Sequence, residues 1–399
     1  MSVTAAAGFV AGGLACGIKD GGRPDLAVVA TADGRPVPAA GVFTTNLATA
    51  APVQVSRAHL ADGHAAAIVL SSGNANAATG EQGRAAARRM CELTAAGIGA
   101  ATSDVLVCST GLIGIPLPMA PIESGLPALT AQLGATAADA QRAADAILTT
   151  DTVRKEAVAT AALGSATAHV GGMAKGAAML SPAMATMLAA ITTDAAVTPA
   201  VLQRALALAV APTFDCLVVD GCRSTNDTVL VLASGAAGNA VIDTARGPEF
   251  HALADALTDV CGSLAEQMAR DAEGATKLAR IVVRGAANDA EARLAARAVA
   301  TSQLVQCSLN GSDPYWGRVL SELGASGAHF DPEQVEIAYG GVVACRHGIA
   351  ADADGAALAA VMAAREITIT CDLAAGHGEA TVLTTDLSYG YIDENRRTS

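Results

Sequence analysis

The chain has 399 residues, 52% of them hydrophobic and only 3% aromatic, and 38 acidic against 25 basic residues leave a net charge of −13. That balance argues against nucleic acid or an anionic membrane surface as the main partner. The length suits more than one domain or one large layered domain, and the small side chains (Ala, Val) that dominate the apolar set imply close approach of helices and sheets.

The N-terminus, MSVTAAAGFVAGGLACGIKD, has no basic segment, which argues against a secretory signal. Nine scattered cysteines, odd in number and without a CxxC pair, suggest reduced, mostly buried thiols in a cytoplasmic protein. No histidine, cysteine or carboxylate cluster has metal spacing, no GxxxxGK phosphate loop occurs, and the histidines form no triad-like pattern.

Two early segments, 64–80 and 104–114, are apolar runs ending in Gly/Asn/Ala or Thr-Gly turns, the pattern of buried strands running into loops. Helix formers fill 81–97 and 134–149. Thr198-Pro199 starts a helix reaching about Val210. Strands are predicted at Asp215–Asp220 and Thr228–Ala233, a helix at 248–270, a strand at 280–285 and a helix at 288–300. Further strands follow at 335–346, 367–373 and 379–385, the last two joined by a turn containing Ala375-Gly376-His377-Gly378. Helices and strands in mixed order, with strand pairs close together, favour a layered α/β (α+β) fold over a doubly wound parallel sheet. A boundary near residue 285 suggests a smaller structural subdomain from about 286 to 385.

The run GAAMLSPAMATMLAAITT, 176–193, is 18 residues without a charge. Its Ser, Pro and Thr residues suit burial in protein rather than lipid. Thr186 at its middle reads most simply as a core threonine bonding a backbone carbonyl. It becomes a nucleophile only if a base takes its proton. Cleavage of the Ala185–Thr186 bond would supply one, because a free α-amine titrates near pH 7.7–8.0 in general.

The segment KGAAMLSPAMATML (175–188) resembles the self-cleavage segment of the ornithine acetyltransferase family, also called glutamate N-acetyltransferase. GNANAATG (73–80), CSTGLIG (108–114), TTDTVRK (149–155), STNDTV (224–229), DAEGATK (271–277) and DPYWGR (313–318) are similar to family blocks in family order. The resemblance implies stacked helix and sheet layers of that family's type. It also implies self-cleavage into an alpha chain, 1–185, and a beta chain, 186–399, that stay associated, usually as a heterotetramer of two each. Thr186 would take acetyl from N-acetylornithine and pass it to glutamate in a ping-pong reaction of arginine biosynthesis, with no cofactor. Acetyl-CoA is a further candidate substrate, as some members use it.

Residue by residue, the resemblance puts an oxyanion hole at Thr110 and Gly111 and substrate contacts at Thr149, Lys175, Thr186, Glu273, Asn395 and Ser399. The family usually ends in Asn, four residues and Thr or Ser; this chain is one residue short, so Thr398 competes with Ser399 for the terminal role. Tyr315 stands where the family commonly has Asn. Trp316 is expected to pack, and Arg318 to serve structure ahead of binding a carboxylate. Two other functions remain open: an N-terminal-nucleophile amidohydrolase or aminopeptidase of similar fold, and an uncut ligand-binding protein.

Overall fold

A computed structural model describes residues 2–180 and 187–396. The first sheet has four strands in the order Phe9–Leu14, Leu26–Thr31, Ala67–Asn74, Val105–Leu112, of which the last two are parallel. The second has six, in the order His64–Ala65, Val37–Phe43, Thr228–Ala233, Leu188–Thr193, Ala166–Lys175, Lys155–Leu163. Successive side chains along a strand point to opposite faces, and the cores follow that alternation. Ala27, Val29, Ile68, Leu70, Leu106 and Cys108 of the first sheet share a core with Met173, Leu188, Ala190, Leu230 and Leu232 of the second.

Their neighbours along the same strands face outward. Leu26, Val28, Val69 and Val107 pack on Met90 and Cys91 of the helix Gly80–Ile98 and Ile122 and Leu126 of Met119–Thr130. On the far side, Val170, Ile191, Val229 and Val231 meet Leu202 and Leu206 of Pro199–Val210 and Leu257, Val260 and Leu264 of Pro248–Arg270. The result is helices, sheet, sheet, helices. Each such fully buried aliphatic side chain contributes roughly 1.5–3 kcal/mol relative to exposure.

A third sheet, order Ile349–Ala350, Val342–Arg346, Glu336–Tyr339, Glu366–Asp372, Leu278–Ala286, Gly378–Thr385, has its own core with the helices Asp289–Thr301, Gln303–Asn310 and Trp316–Ala325. Trp316 packs on that core, while Arg318 donates to Leu304 O at 2.9 Å and Ser308 Oγ at 2.6 Å.

Three expectations change. The strand expected at Asp215–Asp220 is a short 3-10 turn, Phe214–Cys216, followed by extended chain. Val218 N–H donates to Leu383 O and Val219 N–H to Leu180 O, so the backbone serves two different neighbours and no ladder forms. The strands Glu366–Asp372 and Gly378–Thr385 are joined by a short turn yet do not pair; they flank Leu278–Ala286 on opposite sides. The helix expected over 134–149 is confined to Ala137–Ala146, where Thr136 and Asp139 form a reciprocal capping box. Of the nine cysteines, all free, six are buried; Cys16 is partly exposed and Cys222 and Cys307 are exposed. Among the described residues no helix is long and apolar enough to cross a membrane, and no three or more His, Cys, Asp or Glu side chains are grouped so as to hold a metal ion.

Candidate active site

The C-terminal end of Val105–Leu112 in the first sheet meets the end of Ala166–Lys175 in the second. Gly111 pairs with Gly73 across the parallel strands and has φ +134°. A Cβ at Gly111 would lie 2.3 Å from the carbonyl carbon of Gly73, so no other residue fits that approach. Thr110 is buried beside it, and Lys175 Nζ lies 3.4 Å from Thr110 Oγ1. An ammonium only donates, so this contact occupies a lone pair of the Thr110 oxygen and leaves its O–H free to donate elsewhere.

Around this point lies a cleft of 720 Å³. Thr110, Gly111, Thr149, Lys175, Glu273 and Asn395, named above from separate sequence blocks, all line it. Asn395, on the helix Tyr389–Asn395, donates from Nδ2 to Glu273 Oε2 at 2.7 Å. Ala185, Thr186, Thr398 and Ser399 lie outside the described residues. Met187, which follows Thr186 in the chain, is fixed on both sides. Its N–H donates to Asp227 Oδ1 at 3.0 Å, and its carbonyl accepts from Thr228 N–H at 3.1 Å. Asp227 Oδ2 is buried with no hydrogen-bond partner among the described residues, and burial pushes the pKa of that carboxyl well above the usual carboxylate value.

Beneath the cleft is a buried charge network. Lys155 begins its strand with its side chain fully buried, bonded to Asp151 Oδ1 at 2.6 Å and to Asp271 Oδ2. Asp151 accepts from Thr149 N at 3.0 Å and Gly176 N at 2.8 Å, and its Oδ2 lies 3.7 Å from Lys175 Nζ. Asp271 also accepts from Thr152 N and Val153 N. Burial alone would raise the pKa of Asp151, but Lys175 and Lys155 outweigh it and hold the carboxyl well below the carboxylate range. Burial lowers the pKa of Lys175, and Asp151 acts against that loss.

Asp151, Lys155, Asp271 and Asp227 stand in blocks similar to the family's, but the sequence assigns them no role, because a charge in a polar stretch reads as solvated until its burial is known. Lys19 is a cleft residue that no sequence block marks. It lines the cleft from the loop after Phe9–Leu14, a stretch without a recognisable motif.

A family model described as the ArgJ family matches residues 10–398. The chain is 48% identical over 394 residues to the arginine biosynthesis bifunctional protein ArgJ of Symbiobacterium thermophilum, covering 98% of this chain and 97% of that one. It is 48% identical over 395 residues to the protein of the same name from Thermobifida fusca, covering 99% of each. The crystal structure of the arginine biosynthesis bifunctional protein argJ from Bacillus halodurans matches with a TM-score of 0.50 at 37% identity, over 51% of this chain and 96% of that chain.

Proposed function

The chain belongs to the ArgJ family and is an enzyme, and on that premise we propose that it cuts itself before Thr186 and transfers acetyl from N-acetylornithine to glutamate. The observation that carries this reading is the convergence of Thr110, Gly111, Thr149, Lys175, Glu273 and Asn395 on one cleft.

In the first half-reaction the Thr186 hydroxyl, its proton taken by the new α-amine, attacks the acetyl carbonyl. The amide C–N bond breaks, the proton goes to the leaving amine of ornithine, and an acetyl ester remains. In the second, the α-amine of glutamate attacks that ester, the C–O bond breaks and the Thr186 oxygen regains a proton. Negative charge develops on the carbonyl oxygen in both steps. The freed O–H of Thr110 and the N–H of Gly111 are the donors for it. Lys175 meets the α-carboxylate of either substrate, and Glu273, held by Asn395, meets the ammonium of the ornithine side chain. No external cofactor enters the scheme, and acetyl-CoA would be an alternative acetyl donor.

The strand Leu188–Thr193 lies between Ala166–Lys175 and Thr228–Ala233. Chains 1–185 and 186–399 therefore share a sheet and its cores, which supports their staying associated after the cut; we extend this to a cytoplasmic heterotetramer of two each.

Mass spectrometry of purified protein tests the reading. Two chains meeting between residues 185 and 186 are expected, with an acetyl adduct on the peptide beginning at Thr186 after N-acetylornithine is added. Thr186→Ala should remain one chain and inactive. An uncut chain with full activity would overturn the scheme, and free acetate in place of N-acetylglutamate would point to a hydrolase.

A further inference from the structure

The two substrates of the proposed reaction differ at the far end of the side chain: ornithine carries an ammonium there and glutamate a second carboxylate. Lys175 already has Asp151 as a neighbour and serves the carboxylate both substrates share. A second cation is needed for the one that only glutamate has.

Lys19 is placed for that task. The carboxylate of Asp25, fully buried, accepts the backbone N–H groups of Cys16, Gly17, Ile18 and Lys19 at 2.6–3.0 Å, which fixes the loop. The Lys19 stem passes over Gly73, where a Cβ would lie 2.9 Å from Lys19 Cγ. Its ammonium donates to Pro24 O and to Leu148 O, each at 2.6 Å, and Leu148 directly precedes Thr149. An ammonium has three N–H donors. Two are engaged by carbonyls, and among the described residues no carboxylate pairs with Lys19, since Asp25 is committed to the backbone. Arg23 and Asp20, which also line the cleft, are exposed, whereas Lys19 is partly buried. Burial pushes the Lys19 pKa down to about 8, with Asp25 and Asp151 acting upward and Arg23 and Lys175 downward, which leaves it charged at neutral pH.

We propose that Lys19 binds the side-chain carboxylate of the acetyl acceptor and thereby selects glutamate in the second half-reaction. The inference rests on the acetyl-transfer reading above. A substrate carboxylate would accept the remaining N–H in a partly dehydrated setting, where a hydrogen bond between charged groups is worth more than one in water.

The test separates the half-reactions of the self-cleaved enzyme. Acetyl-enzyme formation and ornithine release are followed with N-acetylornithine, and glutamate and its neutral isostere glutamine are compared as acceptors. Lys19→Met should raise the KM for glutamate about tenfold or more and lower the preference for glutamate over glutamine by a similar factor. The KM for N-acetylornithine should stay within about threefold, and Lys19→Arg should keep the preference. Should Lys19→Met fail to fold, Lys19→Gln, which can still donate to the two carbonyls, must show the same loss of preference. An unchanged preference in a neutral variant, or equal losses for both substrates, overturns the assignment. Wild-type protein that takes no acetyl from N-acetylornithine would instead overturn the proposed function itself.

Discussion

Lys155 Nζ lies 2.6 Å from Asp151 Oδ1 with both side chains fully shielded from solvent. Through Asp271, the same ammonium ties the loop carrying Thr149 to the segment carrying Glu273, 116 residues from Lys155 to Asp271. One buried cation thus sets the spacing between two walls of the cleft. Lys155→Met removes it and leaves two carboxylates facing each other. Breaking a buried pair from one side costs about 3–5 kcal/mol, so the variant should show a loss of that order in denaturant melts, with a raised KM if enough protein folds. An unchanged midpoint would show that the network does not bear on stability.

Asp151→Asn tests the electrostatics of the substrate cation. Asp151 is the neighbour that acts most strongly to keep Lys175 charged against its burial. The Lys175 pKa already lies below 10.5, and without Asp151 it falls further. Binding that needs the ammonium is present below that pKa and lost as pH rises through it. The alkaline limb of the KM profile for N-acetylornithine should therefore move to lower pH. A profile that superimposes on the wild type would remove Lys175 from carboxylate binding or Asp151 from its control.

At Gly111 the prediction is steric. A methyl group there meets Gly73 and Asn74 backbone atoms at 2.3–2.6 Å, at a φ that L side chains rarely adopt. Gly111→Ala must displace the N–H proposed for the oxyanion hole. Loss of one such donor costs roughly 10²–10³ in kcat, and a fall of that size is expected in protein whose circular dichroism is native. Near-normal kcat would exclude this N–H from the hole.

Asp227 offers a pH test of stability. Its folded pKa lies well above 3.8 because of burial. A carboxyl raised in this way favours the fold while protonated. Its contribution is present at acid pH and is lost as pH rises from 3.8 through the folded value. Asp227→Asn keeps an acceptor for Met187 N–H without the charge. The variant should gain melting temperature relative to wild type at pH 8 and lose that advantage at pH 4. A variant less stable at pH 8 would mean that the charged form has a partner.

Much of the layered core was legible in the chain. The strands Ala67–Asn74 and Val105–Leu112 and the helices Gly80–Ile98, Pro199–Val210 and Pro248–Arg270 stand where apolar periodicity and turn residues place them. The strands Lys155–Leu163 and Ala166–Lys175 were not legible, because Ala, Gly and Thr give them little hydrophobic contrast. The segment Asp215–Asp220 carries a strand's pattern, but two unrelated neighbours take its backbone hydrogen bonds.

The sequence by itself determined the types of its strongly patterned elements and the family blocks, and through those blocks it pointed to six residues of the cleft, Thr110, Gly111, Thr149, Lys175, Glu273 and Asn395, because those signals are local in the chain. The tertiary structure alone decided which strands pair, that Lys155 bridges Asp151 and Asp271, and that Lys19 enters the cleft with no carboxylate partner among the described residues. Whether a charge is solvated or buried, and beside which opposite charge, depends on desolvation and distance between segments remote in sequence, and neither quantity exists until the chain has folded.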